Sequence, residues 1–180
     1  YNRAEQQAYW INLYNALTVE EILANYPVKS IRKIDSAILG LGPWNKPVVT
    51  VAGIGLSMND IEHRILRPIW RDPRIHFVVN CASLGCPNLV AEAYTVANTE
   101  RLLESGGREF INHPRGAAFD KKGRLQLSSI FNWYDTDFGE NQQQRLDYLA
   151  RFAEPELAAQ LSGYTGKIRY DYDWALNEPD

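Results

Sequence analysis

The chain has 180 residues, a formal net charge of −3, 45% hydrophobic and 23% charged residues. A length of this order buries a real core. The interspersed charges leave no basic patch for nucleic acid, and no apolar run reaches the length of a membrane span. The chain opens on Tyr1, and Met58 is its only methionine. It therefore reads as a processed or trimmed segment, and its compartment (secreted, periplasmic or cytoplasmic) stays open. Two cysteines, Cys81 and Cys86, are too few for a disulfide scaffold.

In chain order, residues 4–25 read as a long helix with Ala8, Ile11, Val19, Ile22 and Leu23 on one stripe. Asn12 and Asn15 fall inside that stripe. A buried amide must find partners or cost a few kcal/mol, so these two either tie down backbone or face a polar cavity. The Gly/Pro-rich segment 39–47 reads as a loop within the domain. Residues 47–52 read as a strand. Residues 57–67 read as a helix with Ser57 as N-cap, Asp60 three positions on, and Pro68 as its stop. The uninterrupted apolar run in residues 75–81 predicts a strand buried on both faces.

Asn98 or Thr99 is placed to cap a helix reaching about residue 112. Residues 116–129 predict a hairpin turning near Lys122 and Gly123. Residues 128–139 read as a helical turn, 141–152 and 154–161 as amphipathic helices, and 167–174 as a last strand. Helices and strands follow one another without a regular β-α-β rhythm. The expected class is α+β: a single domain over residues 1–180, with helices packed on a small mixed or antiparallel sheet.

The chemistry concentrates around residues 62–83. Cys81 ends the expected strand and enters a loop of small residues, a rigid mount with an exposed tip. Ser83 and the amides of residues 82–85 are candidate donors to an oxyanion. A thiol needs a base or a positive field to act as a nucleophile. On a regular strand His76 points to the opposite face from Cys81, and His113 sits in an exposed turn, which leaves His63. Glu62 falls near the centre of the apolar stripe formed by Met58, Ile61, Ile65, Leu66 and Ile69. A carboxylate there must be paired or protonated. His63 and Asn59 lie at the stripe's edge, where a helix meets a cleft.

Other readings stay open. Two cysteines and His63 supply three of the four ligands zinc wants, but C-x₄-C is a weak metal signal. The same cysteines could close a small disulfide loop, although their spacing is not that of a thioredoxin-like motif. A non-enzymatic module binding a thiol-containing small molecule or a protein would use Cys81 only as a contact. Both the metal and the disulfide readings rank below a thiol nucleophile.

The segments AYWINLYNALTV (8–19), LSMNDIEHRILR (56–67), PRIHFVVNCASLGCPNL (73–89) and IFNWYDTDF (130–138) resemble the family catalogued as domain of unknown function 547. The resemblance implies a papain- or transglutaminase-like fold and a catalytic Cys, His and Glu. By position these are Cys81, His63 and Glu62. It also implies that Cys86 is dispensable, that a glycine commonly stands where this chain has Ala82, and that a further N-terminal part of the domain precedes Tyr1. The expected activity is a cysteine-dependent hydrolase or acyltransferase on an amide or thioester. Asn12, Asn15, Asn59, Ser83, Trp133 and Tyr134 are the expected substrate contacts. No cofactor or metal is expected, and the partner is a small-molecule or peptide substrate.

Overall fold

The computed structural model describes residues 1–34 and 42–178. Part of the loop expected at 39–47, its residues 39–41, lies outside the described residues. Among the described residues, helices alternate irregularly with two small sheets, and the class is α+β. Contacts gather the chain into two compact units: Tyr1–Glu100 with Asp173–Asp180, and Arg101–Tyr172.

The first unit opens with α1, Arg3–Ala24. Asn2 caps it: its side chain accepts the Ala4 and Glu5 amides, and the Glu5 carboxylate takes the Asn2 amide in return. The buried face carries Ala8, Ile11, Tyr14, Asn15, Leu17 and Thr18. The expected stripe continued to Val19 and Leu23, but both are exposed. They border an open groove instead of a packed neighbour.

Strand β1, Pro47–Val51, turns back into β2, Ile54–Ser57, as an antiparallel hairpin. Ala52 (φ 51°) and Gly53 (φ 80°) make the turn. Two consecutive left-handed residues match the twist of a tight hairpin.

The next helix differs from expectation. Ser57 does open it: its hydroxyl donates to Asp60 Oδ2 at 2.8 Å and accepts the Asp60 amide at 3.1 Å. The winding over Asp60–Leu66 is π-helical and runs directly into α2, Arg67–Trp70. Pro68 therefore does not stop it. In an α-helix a proline ring clashes with the carbonyl four residues before it, and the wider i→i+5 turn, seen in the Arg67 amide donating to the Glu62 carbonyl, makes room for it. The wider turn also changes what is buried. Met58, Glu62 and Leu66, spaced by four, are buried, whereas Ile69 is exposed.

The strand expected over 75–81 is absent. Pro73–Phe77 is a 3₁₀ turn opened by Asp72, whose side chain accepts the Arg74 amide. Asp at the N-cap and Pro at the first helical position set this turn, and they outweigh the apolar run that follows. Ile75, Phe77, Ile11, Ile31, Met58 and Ile61 are among the buried side chains of this unit.

Helix α3, Thr99–Asn112, leads into the second unit. The chain begins to coil a turn earlier than the expected cap: the Thr95 carbonyl accepts the Asn98 and Thr99 amides, and Asn98 Oδ1 accepts the Thr95 amide. Strands β3, Ala117–Phe119, and β4, Leu125–Ser128, form the expected hairpin, with Gly123 at φ 70° in its turn. Strand β5, Arg169–Asp171, joins β4 in parallel, so this sheet is mixed. Between β4 and β5 lie α4, Ile130–Trp133, α5, Asp135–Phe138, α6, Gln142–Ala150, and α7, Pro155–Ser162. A run of ring contacts at 5.0–6.1 Å links Phe110, Phe131, Phe138, Tyr148 and Phe152. No helix among the described residues is long and apolar enough to cross a membrane.

Candidate functional site

Helix α1 holds two other parts of its unit from neighbouring turns. Asn15 Nδ2 donates to the Val78 carbonyl at 2.9 Å, and Asn15 Oδ1 accepts the Asn80 amide at 2.8 Å. Thr18, three residues on, lies 3.4 Å from Met58 Sδ through its hydroxyl. One helix thus anchors both the segment leading into Cys81 and the start of the helix that carries Glu62 and His63. Asn12 makes a similar clamp, donating to the Tyr94 carbonyl and accepting the Tyr94 amide, both at 2.8 Å. Burial, then Glu92, pushes the Tyr94 phenol up to about 12. Both asparagines tie down backbone, and both also border a groove of about 820 Å³ between α1 and residues 89–94.

The Cys81 loop is closed by its own hydrogen bonds. Asn80 Nδ2 donates to the Pro87 carbonyl, and Asn80 Oδ1 accepts the Ala82 amide, each at 2.7 Å. Ala82 has φ 60°, a left-handed conformation that costs a residue with a Cβ about 1–2 kcal/mol. The side-chain turn made by Asn80 holds it there. From the chain's last segment, the Ala175 carbonyl accepts the Leu84 amide and the Asp173 carbonyl accepts the Gly85 amide, both at 2.8 Å. The Asn177 amide donates to the Ala82 carbonyl at 2.9 Å. The Cys86 amide is used on the Ser83 carbonyl at 3.0 Å. The amides of Ala82, Leu84 and Gly85, expected as oxyanion donors, are therefore spent, the first on Asn80 and the other two on the 173–175 segment.

Cys81 is partly exposed and Cys86 is buried, and both are thiols. The Cys81 sulfur lies 3.1 Å from the Ser83 hydroxyl and 2.9 Å from the Cys86 sulfur. The Cys81 amide also donates to Cys86 Sγ at 2.9 Å. The sequence treats Cys86 as a bystander, but the loop brings the two sulfurs together.

Glu62 is buried, with 5% of its surface exposed. Its Oε1 lies 3.7 Å from His76 Nδ1 and 4.0 Å from His63 Nδ1. The alternation that sent His76 to the far face required a strand. With a 3₁₀ turn in its place, His76 comes to the Glu62 carboxylate and is itself buried. His63 stays partly exposed, and Arg67 Nη1 lies 3.2 Å from its Nδ1. A guanidinium only donates, so Nδ1 accepts and the proton of the neutral ring sits on Nε2. Arg67 follows His63 by four residues, the helical spacing that could have flagged it. Asn59 Nδ2 donates to Asn45 Oδ1 at 2.6 Å.

Trp133 and Tyr134 belong to the second unit. Trp133 packs its ring 4.8 Å from that of Tyr172 and is 45% exposed. Among the described residues, no three His, Cys, Asp or Glu side chains gather as a metal-binding set, so Cys81, Cys86 and His63 do not form the zinc site considered above.

No curated protein and no solved structure matches the chain. A family model does: the one described as "Protein of unknown function, DUF547" matches residues 1–111, more than half the chain, and the chain belongs to that family.

Proposed function

We propose that this chain is a cysteine-dependent hydrolase or acyltransferase acting on an amide or thioester. The observation that carries the reading is the mounting of Cys81. Its thiol stands partly exposed on a loop pinned by Asn15 and Asn80, beside the buried Ser83 hydroxyl. The helix bearing Glu62 and His63 starts against Thr18 on the same α1. A rigid nucleophile with a nearby hydroxyl donor, and an imidazole on an element held by the same α1, suit acyl transfer.

In this reading His63 turns Nδ1 away from Arg67 and takes the Cys81 proton there, and the thiolate attacks the substrate carbonyl carbon. The carbon–nitrogen or carbon–sulfur bond breaks, and the leaving group takes the proton back from His63. Water or another acceptor then attacks the acyl-cysteine with His63 again as base, the carbon–sulfur bond to Cys81 breaks, and the Cys81 sulfur takes the proton back from His63. Glu62, its Oε1 4.0 Å from His63 Nδ1, orients the imidazole. The Ser83 hydroxyl supports the thiolate as it forms, then turns to the oxyanion once the sulfur has attacked. Asn59 would meet the substrate at the edge of the helix, and Asn12 and Asn15 would shape the groove wall.

The test uses an activated acyl ester such as p-nitrophenyl acetate and intact mass. Wild type is expected to gain one acetyl group on Cys81 and to lose it on standing. Cys81→Ala gains none, and His63→Ala gains and loses it roughly a hundredfold more slowly. Acetylation that is spread over lysines and indifferent to both substitutions would overturn the reading in favour of a binding module.

A further inference from the structure

The contact between the two cysteines goes unused in the acyl-transfer reading. The sulfurs are 2.9 Å apart, and the intervening loop is closed from both sides by Asn80. A disulfide bond is about 2.0 Å long, so bonding needs the sulfurs to close by less than an ångström. The two differ in access: Cys81 is partly exposed, whereas Cys86 is 4% exposed. Cys86 Sγ also accepts the Cys81 backbone amide, which holds its sulfur beside that of Cys81. An oxidant arriving from solvent meets Cys81 first and finds Cys86 directly behind it.

We propose that Cys81 and Cys86 form a peroxide-responsive pair in which Cys86 resolves the oxidised Cys81. The oxidant is a hydroperoxide. The Cys81 thiolate attacks its outer oxygen, the oxygen–oxygen bond breaks, and the departing alkoxide or hydroxide takes a proton and leaves as alcohol or water. Cys81 is then a sulfenic acid. The Cys86 thiolate attacks the Cys81 sulfur, the sulfur–oxygen bond breaks, and hydroxide takes a proton and leaves as water. The two thiols have supplied two electrons and the peroxide has consumed them. An external dithiol returns the two electrons by thiol–disulfide exchange. The disulfide keeps Cys81 from the irreversible sulfinic and sulfonic stages. Its consequence for activity, a reversible block on acyl transfer, rests on the function proposed above. The bond itself does not.

The experiment treats the reduced full chain with one equivalent of hydrogen peroxide. It is read by intact mass, by mapping of the peptide carrying both cysteines, and by iodoacetamide labelling. The expected product is a monomer lighter by two hydrogens, with the link inside that peptide. Labelling of Cys81 falls by more than about tenfold and returns with dithiothreitol. In Cys86→Ala one equivalent is expected to add one oxygen to Cys81, and a further equivalent carries it to the sulfinic stage, from which dithiothreitol no longer restores labelling. Wild type that gains oxygen on Cys81 without a link, or that ignores peroxide, overturns the proposal, and it does so even if Cys86→Ala fails to fold. The two readings fail separately. A chain that forms the disulfide but never takes an acyl group contradicts only the acyl-transfer function. A chain that acylates but oxidises without a link contradicts only the pair.

Discussion

Asn15 concentrates much of the first unit's order in one side chain. It is buried, and its carboxamide meets one carbonyl and one amide of the segment entering Cys81. Asn15→Ala leaves both backbone groups without this partner, at a cost of about 2–4 kcal/mol. Urea denaturation should show the midpoint falling with an unchanged slope, and a midpoint within error of wild type would remove Asn15 from its scaffolding role. Ala82 makes the opposite prediction. Its φ of 60° is the left-handed region that glycine enters without steric cost. Ala82→Gly should therefore leave stability level or raise it by up to about 1 kcal/mol, read from the same denaturation. A loss well beyond that would mean the Ala82 methyl packs for stability. At this scale the sequence was informative where chemistry forces a pattern. An amide inside an apolar stripe had to be satisfied, and a carboxylate at the centre of one had to be buried with company. It was uninformative about His76, because the face of a side chain follows only from the right secondary structure.

At the scale of elements, the π-helix decides what faces Glu62, and its entry is the most readily tested part. The Ser57 amide and hydroxyl, followed by Arg64, hold the Asp60 carboxyl below its ordinary value. A carboxyl lowered in the folded chain contributes stability at pH above its unfolded value. That stability is lost as pH falls through the lower, folded value. Ser57→Ala removes the cap and should cost about 1 kcal/mol near neutral pH. The deficit should shrink below about pH 4, where wild type loses the same contribution. Thermal unfolding of both proteins from neutral to acid pH measures this, and a deficit constant across the range would mean that Asp60 is not the partner that matters.

Helix α1, the hairpin at β3 and β4, and the helices α6 and α7 were readable from periodicity and turn residues. The strand at 75–81 was not a safe inference, because a short apolar run looks alike in a strand and in a buried turn. Asp72 and Pro73 carried the deciding local signal. Pro68 misled for a different reason: a wider helical turn accommodates a ring that an α-helix rejects.

Across the molecule, the Cys81 loop is completed by the far end of the chain. The 173–177 segment supplies carbonyls to Leu84 and Gly85 and an amide to Ala82, and the Leu176 amide is itself held by the Lys29 carbonyl. Leu176 is 7% exposed, and its truncation to alanine should cost about 2–4 kcal/mol. Hydrogen exchange of the Leu84 and Gly85 amides should rise in Leu176→Ala by more than exchange in α6, which belongs to the other unit. A uniform rise would argue against a local clamp. Such a pairing, almost a hundred residues apart along the chain, leaves no trace in local composition. The division into two units was equally hidden, since α3 runs through the boundary with no linker-like sequence. The family, by contrast, was legible early, because its motifs are contiguous and three of the four lie within the matched residues 1–111.

The central claim is that Cys81 is a nucleophile activated by His63, and the rate of Cys81 alkylation against pH tests it most directly. With reduced protein and Cys81 resolved from Cys86 by peptide mass, the account predicts a half-maximal rate well below the ordinary thiol range near about pH 8.5. It also predicts that His63→Ala returns the profile toward that range. An ordinary thiol profile that His63→Ala leaves unchanged would contradict the account.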